Sequence, residues 1–167
     1  MNIEPKIIYE DNHIIVVIKP HNISVQEDES KDPDMLTIIK EFIKVRDNKP
    51  GNVFLGLVHR LDRPTGGVMV FAKTSKAASR LSKQLKDKEL RKKYFCVVVG
   101  KPQIAKSKLT TYLKKDEKTN TVKIAPKLED GAKEAVLEYE VLDTNNKLSL
   151  IDVNLITGRS HQIRVQM

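Results

Sequence analysis

The sequence predicts an α+β domain built on a mixed, largely antiparallel β-sheet flanked by helices. Three observations carry that reading. Two helical periodicities fall in the first half of the chain, and the second half is mostly β-branched strands joined by short polar turns. With 167 residues, 40% hydrophobic and 31% charged, the chain is long enough and apolar enough for a single domain over residues 1–167 with a buried core.

The elements follow in order. "HIIVVIKP" reads as a strand stopped by Pro20, which lacks the N–H that a ladder needs. A charged loop, "HNISVQEDESKDPD", leads to a helix through "MLTIIKEFIKV". Asp32 is the expected N-cap, with Pro33 at the first helical position and Leu36, Ile39 and Ile43 at helical spacing. Pro50-Gly51 ends that unit. After "VFLGLV" comes "HRLDRPTGG", then the apolar strand "GGVMVFAK". Thr74 and Ser75 are N-cap candidates for "SKAASRLSKQLKDKEL", whose apolar stripe is Ala78, Leu81 and Leu85. The strands "KKYFCVVVG", "KLTTYLKK", "TVKIA", "AVLEYEVLD" and "KLSLIDVNLI" follow, with a tight turn expected at Asn145-Asn146 because Asn tolerates positive φ. The alternation slips at Leu150-Ile151, which predicts a β-bulge there. "TGRSHQIRVQM" reads as a strand end, a turn at Gly158 and a helix starting at Ser160.

Charge and composition narrow the function. A formal net charge of +8 suggests a polyanionic partner, since Lys and Arg gain affinity by releasing phosphate counterions. A basic surface kept for solubility explains the charge equally well. The single cysteine, Cys96, excludes an intrachain disulfide or a cysteine-cluster metal site and fits the cytoplasm. The four histidines have no metal-ligand spacing, and neither GxxxxGK[ST] nor GxGxxG occurs. "HRLD" lacks the asparagine and glycine-rich loop of a kinase site. No GxSxG turn presents a serine nucleophile, so carboxylate chemistry remains.

Asp62 lies between Arg60 and Arg63. Pro64 stiffens the turn, and Gly66-Gly67 permits close backbone approach or positive φ. Flanking cations favour an ionised carboxylate able to act as nucleophile or base, yet an aspartate in such a turn is more often a solvated turn former. Lys76, Arg80 and Lys83 recur along one helix face, either as a solvated stripe or as a track for phosphates. A second polar cluster, Arg159, His161, Gln162 and Arg164, stands near the C-terminus.

In order, "VVIKPHNISV", "HRLDRPTGGVMVFAKT", "RKKYFCVVVGKP" and "TGRSHQIRV" span residues 14–165 and resemble the successive motifs of RluA-type RNA pseudouridine synthases. The resemblance implies an isomerase that flips a uridine of ribosomal or transfer RNA out of the helix. Asp62 would attack the nucleotide as the N1–C1′ bond breaks, and the base would rejoin through C5. It matches Tyr94 to the residue that packs against the flipped base, Arg164 to the aspartate's basic partner and Arg60 to the arginine filling the vacated space. His59, Lys76, Arg80 and Lys83 join Arg60 as RNA-binding candidates. It further implies no metal or organic cofactor and RNA as partner. The early apolar run "IIVVI" at 14–18 is far too short for a membrane span, so no membrane association is expected, and a monomer is expected although the sequence leaves the oligomeric state open. Asn22 stands where the family has glycine, Gln166 where many members have histidine, and "PTGG" where "TSG" is frequent. Family catalytic domains continue past "HQIRV", so the chain reads as C-terminally truncated. A non-catalytic RNA-binding remnant is the competing reading, and a carboxylate glycosidase of free nucleosides a distant third.

Overall fold

The computed structural model describes residues 4–145 and 147–167. The chain divides into two compact units, Met1–Asp87 and Lys88–Met167, and each has its own antiparallel sheet. Every strand pairing among the described residues is antiparallel. The α+β class and the largely antiparallel pairing expected from the sequence hold, with the strands divided between two sheets in which most pair with a sequence neighbour.

In the first unit the sheet order is β1-β2-β4-β3, with β1 (Lys6–Glu10), β2 (Ile14–Lys19), β3 (Gly56–Leu57) and β4 (Gly67–Ala72). Helices α1 (Met35–Arg46) and α2 (Ser75–Lys86) complete it. Strict alternation along β2 sends Ile15, Val17 and Lys19 inward, where Ile15 and Val17 pack with Met69, Phe71, Ile39 and Ile43. The N-cap of α1 is Asp34, whose carboxylate accepts from Thr37 N at 3.1 Å, and not the expected Asp32. Pro33 thus precedes the cap, and Asp32 is drawn instead to Arg63. Met35, Ile39 and Ile43 form the fully buried stripe of α1, with Leu36 at its margin. Thr74 caps α2 as the sequence suggests, accepting from Ala77 N at 3.2 Å. The backbone of β3 comes so close to α2 that a Cβ on Gly56 would stand 3.0 Å from Ala78.

One charged knot ties the far end of this unit together. Arg46, at the end of α1, donates to both Glu10 oxygens at 2.6 and 2.8 Å, and Lys73 donates to Glu10 at 2.6 Å and to the Asp11 carbonyl at 2.7 Å.

The second unit is a five-stranded sheet in the order β5-β9-β8-β6-β7, followed by the short helix α3 (Gln162–Gln166). Its strands are β5 (Lys93–Val99), β6 (Lys106–Asp116), β7 (Thr121–Ile124), β8 (Lys133–Thr144) and β9 (Leu148–Leu155). One face is the core: Leu137, Tyr139, Ile151 and Val153 are buried, with Tyr94, Cys96, Val98, Ile163 and Met167 packed against them. The expected bulge is present, but the extra residue is Leu142 on β8, opposite Leu150 and Ile151. The slip of alternation was legible on β9 while the inserted residue belongs to its partner. At the β8–β9 turn, Asn145 accepts through its side chain from Lys147 N and Leu148 N at 2.9 and 2.8 Å. Asn146, the other half of the expected tight turn, lies outside the described residues. No helix among the described residues is long and apolar enough to cross a membrane.

The Glu10 knot generates a pH prediction. Hydrogen bonds from Arg46, then Lys73, hold the Glu10 carboxyl down to about 2 against an ordinary 4.5. A depressed carboxylate contributes stability that is complete above 4.5 and is lost as the pH falls from there toward about 2. Glu10→Gln is expected to lower unfolding free energy by roughly 1–2 kcal/mol at pH 7, after allowance for the partly exposed Arg46, and to flatten the pH dependence in that window. Urea titrations at successive pH values measure both. Parallel curves for parent and variant would show that the knot contributes nothing.

Candidate functional site

The site begins with a lysine at a core position. Lys19 ends β2 on its inward parity and is fully buried. Its Nζ donates to the carbonyl oxygens of Ile23, Pro20 and Arg63 at 2.7, 2.9 and 3.1 Å. Three carbonyls satisfy three ammonium protons, which is what a buried lysine without a contacting carboxylate requires. Burial pushes its pKa down, and the nearby charge of Asp62 pushes it back up. Lys19 thus sits beneath the Asp62 loop as both a structural clip and a local positive charge.

That loop is then stitched to the segment after β2. Asn22 N donates to the Arg63 carbonyl at 2.8 Å, and Arg63 Nε returns a bond to the Asn22 carbonyl at 3.2 Å. Asn22 adopts φ 64°, so the turn survives where the family has glycine. His21 Nδ1 donates to the Pro64 carbonyl at 2.9 Å, and its ring lies over Gly66, where a Cβ would stand 2.9 Å from Nε2. Gly67 follows at φ 152°. The two glycines therefore do different work, one admitting a close approach and the other a conformation unfavourable to other residues. Thr65 N closes the turn onto the Asp62 carbonyl at 2.9 Å.

The guanidinium of Arg63 faces the acidic loop and not Asp62. It binds Asp32 and Ser30, with Asp28 at 3.5 Å, and thereby pins residues 28–32. Of the two arginines flanking Asp62 in sequence, one is consumed structurally. Arg60 and Asp62 are both exposed. His59 is half-buried, its Nε2 accepting from Val70 N at 3.1 Å, and burial lowers its pKa. It therefore anchors the loop to β4 as a neutral ring. On α2, Lys76, Arg80 and Lys83 are exposed, and Lys83 pairs with Asp87 at 2.5 Å.

Tyr94 and Arg164 belong to the second unit. Tyr94 stands opposite Val153 and packs in the same cluster as Ile163 and Met167 of α3. A helix of five residues does not hold itself, and here two glutamines fasten it. Gln162, 2% exposed, accepts from Thr157 Oγ1 at 2.8 Å and Arg159 N at 3.0 Å and donates to the Val136 carbonyl at 3.1 Å. Gln166 donates to Thr111 Oγ1 and the Ala135 carbonyl at 3.0 and 3.1 Å. His161, at φ 51°, starts the turn. This fixes the exposed Arg164 over the sheet face that carries Tyr94.

The sequence reading passed over Lys19, although the β2 alternation that buries Ile15 and Val17 puts it on the same face. It also left Gln166 without a task. Nothing local marks that residue, because its partners stand 55 and 31 positions away.

Comparison with known proteins adds three findings. A sequence model of the family described as RNA pseudouridylate synthase matches residues 13–167. Ribosomal large subunit pseudouridine synthase C of Buchnera aphidicola subsp. Baizongia pistaciae is 37% identical over 164 residues, covering 96% of this chain and 49% of that protein. An uncharacterized RNA pseudouridine synthase of Bacillus subtilis is 33% identical over 174 residues, covering 98% and 53%. The chain thus spans about half the length of the curated relatives it matches. Among solved structures, human RNA pseudouridylate synthase domain containing 4 superposes with a TM-score of 0.80 at 26% identity, over 96% of this chain and 62% of that one.

Lys19→Met tests the clip. Removing the ammonium takes the Nζ donor from the Pro20 and Ile23 carbonyls and leaves the Arg63 carbonyl with Asn22 N, so stability is expected to fall by about 2–4 kcal/mol in urea unfolding. A loss under about 0.5 kcal/mol, as at an ordinary surface position, would show that the loop holds without it.

Proposed function

The chain belongs to the RNA pseudouridylate synthase family, and we propose that it isomerises a uridine of structured RNA to pseudouridine, its two units acting as one catalytic domain. The supporting observation is the Asp62 loop. A carboxylate exposed to incoming substrate is carried on a turn whose backbone is held by Lys19, Asn22, His21 and Thr65. A nucleophile on so constrained a loop meets its target with little reorganisation.

Each side chain then has a task suited to its chemistry. Asp62 attacks the nucleotide as the N1–C1′ bond breaks. The freed base rejoins C1′ through C5, N1 takes a proton and C5 loses one. Atoms balance without any co-reactant, as an isomerisation requires. Tyr94 supplies a flat face for the extruded base and a hydroxyl for proton transfer. Arg164 opposes the tendency of a desolvated carboxylate to protonate. Arg60 fills the space the base leaves, while Lys76, Arg80 and Lys83 hold phosphates without reading sequence. His59 serves this set indirectly by fixing the strand beside Arg60. The names of the most similar relatives favour ribosomal over transfer RNA as substrate.

Large-subunit ribosomal RNA transcribed without modifications, incubated with the protein and mapped by carbodiimide labelling, is expected to gain pseudouridine at discrete positions. Asp62→Asn should reduce the rate at least about a thousandfold, as removal of a nucleophile does, with RNA affinity within about threefold of the parent. Comparable turnover in that variant would remove Asp62 from the chemistry. RNA binding by the parent without any isomerisation would favour a non-catalytic binding module.

A further inference from the structure

Within the second unit three cations converge where β5 begins. Lys92 is half-buried, its backbone carbonyl accepts from Leu155 N at 2.9 Å, and its ammonium lies against Gly158, 3.4 Å from where a Cβ would stand. Arg159 is adjacent, its Nε donating to the Glu134 carbonyl at 2.8 Å. Lys88, in the turn before β5 at φ 61°, is near enough to repel the Lys92 ammonium. Among the described residues no carboxylate lies within 4 Å of any of the three.

Lys73 and Lys114 have carboxylate counter-ions, Glu10 and Glu129. Lys92 has burial and two like charges instead. Its pKa is lowered first by desolvation and then by repulsion from Lys88 and Arg159. Converging cations with no internal anion are unfavourable for the protein alone and favourable once an external anion enters.

We propose that Lys88, Lys92 and Arg159 form a phosphodiester-binding site that holds the RNA strand beside the nucleotide whose base packs on Tyr94. The inference rests on the RNA reading given above. Lys92 immediately precedes β5 and lies two residues before Tyr94, about 7 Å away along an extended chain. A phosphate held at Lys92 therefore lies about one nucleotide from a base on Tyr94. The Lys92 ammonium lies beside Gly158, in van der Waals range of where a Cβ would stand.

The test uses Lys92→Met and Lys88→Gln in the full chain, with Lys6→Gln as a control of equal charge change. The probe is a fluorescent RNA hairpin with a uridine-rich loop, titrated over a range of KCl concentrations. For each of the two variants the slope of log K against log[salt] is expected to become shallower by about 0.7, with a roughly tenfold loss of affinity, and Lys6→Gln should match the parent. Thermal unfolding supplies the second readout. Relief of repulsion should leave the melting temperature of Lys92→Met equal to or above the parent's, whereas a purely structural lysine would lower it. An unchanged slope in both variants, or a lowered melting temperature with unchanged affinity, overturns the site while the RNA reading stands. A parent that shows no salt-dependent RNA binding overturns both. Competition by uridine monophosphate that depends on Lys92, with no effect of Lys92 on RNA, would assign the cluster to a free nucleotide and overturn the strand contact.

Discussion

The first unit depends on one buried ammonium. Lys19 lies at a position that the alternation of β2 reserves for the core, and its three donors go to the carbonyls of Pro20, Ile23 and Arg63. A cation there is unfavourable unless every proton is taken up, so the backbone from 20 to 23 and at 63 has to turn its oxygens inward. Once it does, Asn22 and Arg63 fall into reciprocal bonding range and His21 comes to rest on Gly66. The geometry around Asp62 is in this sense a consequence of where a lysine is buried. The charge of Asp62 in turn offsets part of the desolvation of Lys19.

What the sequence could reveal follows from how local each constraint is. The N-cap at Thr74 and the left-handed Asn22 are each decided within a few residues and were legible, whereas which glycine of Gly66-Gly67 admits the close approach depends on the distant His21. The cap of α1 was misplaced by two residues, since Asp32 and Asp34 both fit the local rule and Arg63, 31 positions away from Asp32, settles the choice. The bulge shows the same limit, because pairing is a property of two strands and the pattern of one cannot say which carries Leu142. Arg63 was read as a cation flanking Asp62, although its bonds go to Asn22, Ser30 and Asp32. The family was more legible than the architecture, as four motifs in order survive where strand partners do not.

The second unit solves a different problem, that of presenting a cation from a helix too short to stand alone. Its solution is amide chemistry: Gln162 and Gln166 bond β6 and β8 through backbone and hydroxyl groups, while Ile163 and Met167 bury their apolar sides. Neutral amides suit this place, since a charged anchor beside Arg164 would either compete for its partner or repel it.

Net charge alone is a poor guide to where this chain would attract a polyanion, because its cations divide into two populations. Lys19, Arg46, Arg63 and Lys73 are bonded to carbonyls or carboxylates and hold the fold. They add to the formal +8 while adding little to the outward field. Lys76 and Arg80 stand exposed on a helix that has no acidic residue within it, and Lys88, Lys92 and Arg159 converge without a counter-ion. A polyanion is attracted by the second population only. The chain therefore meets its partner with a field shaped less by how many lysines it has than by which of them the fold has already neutralised.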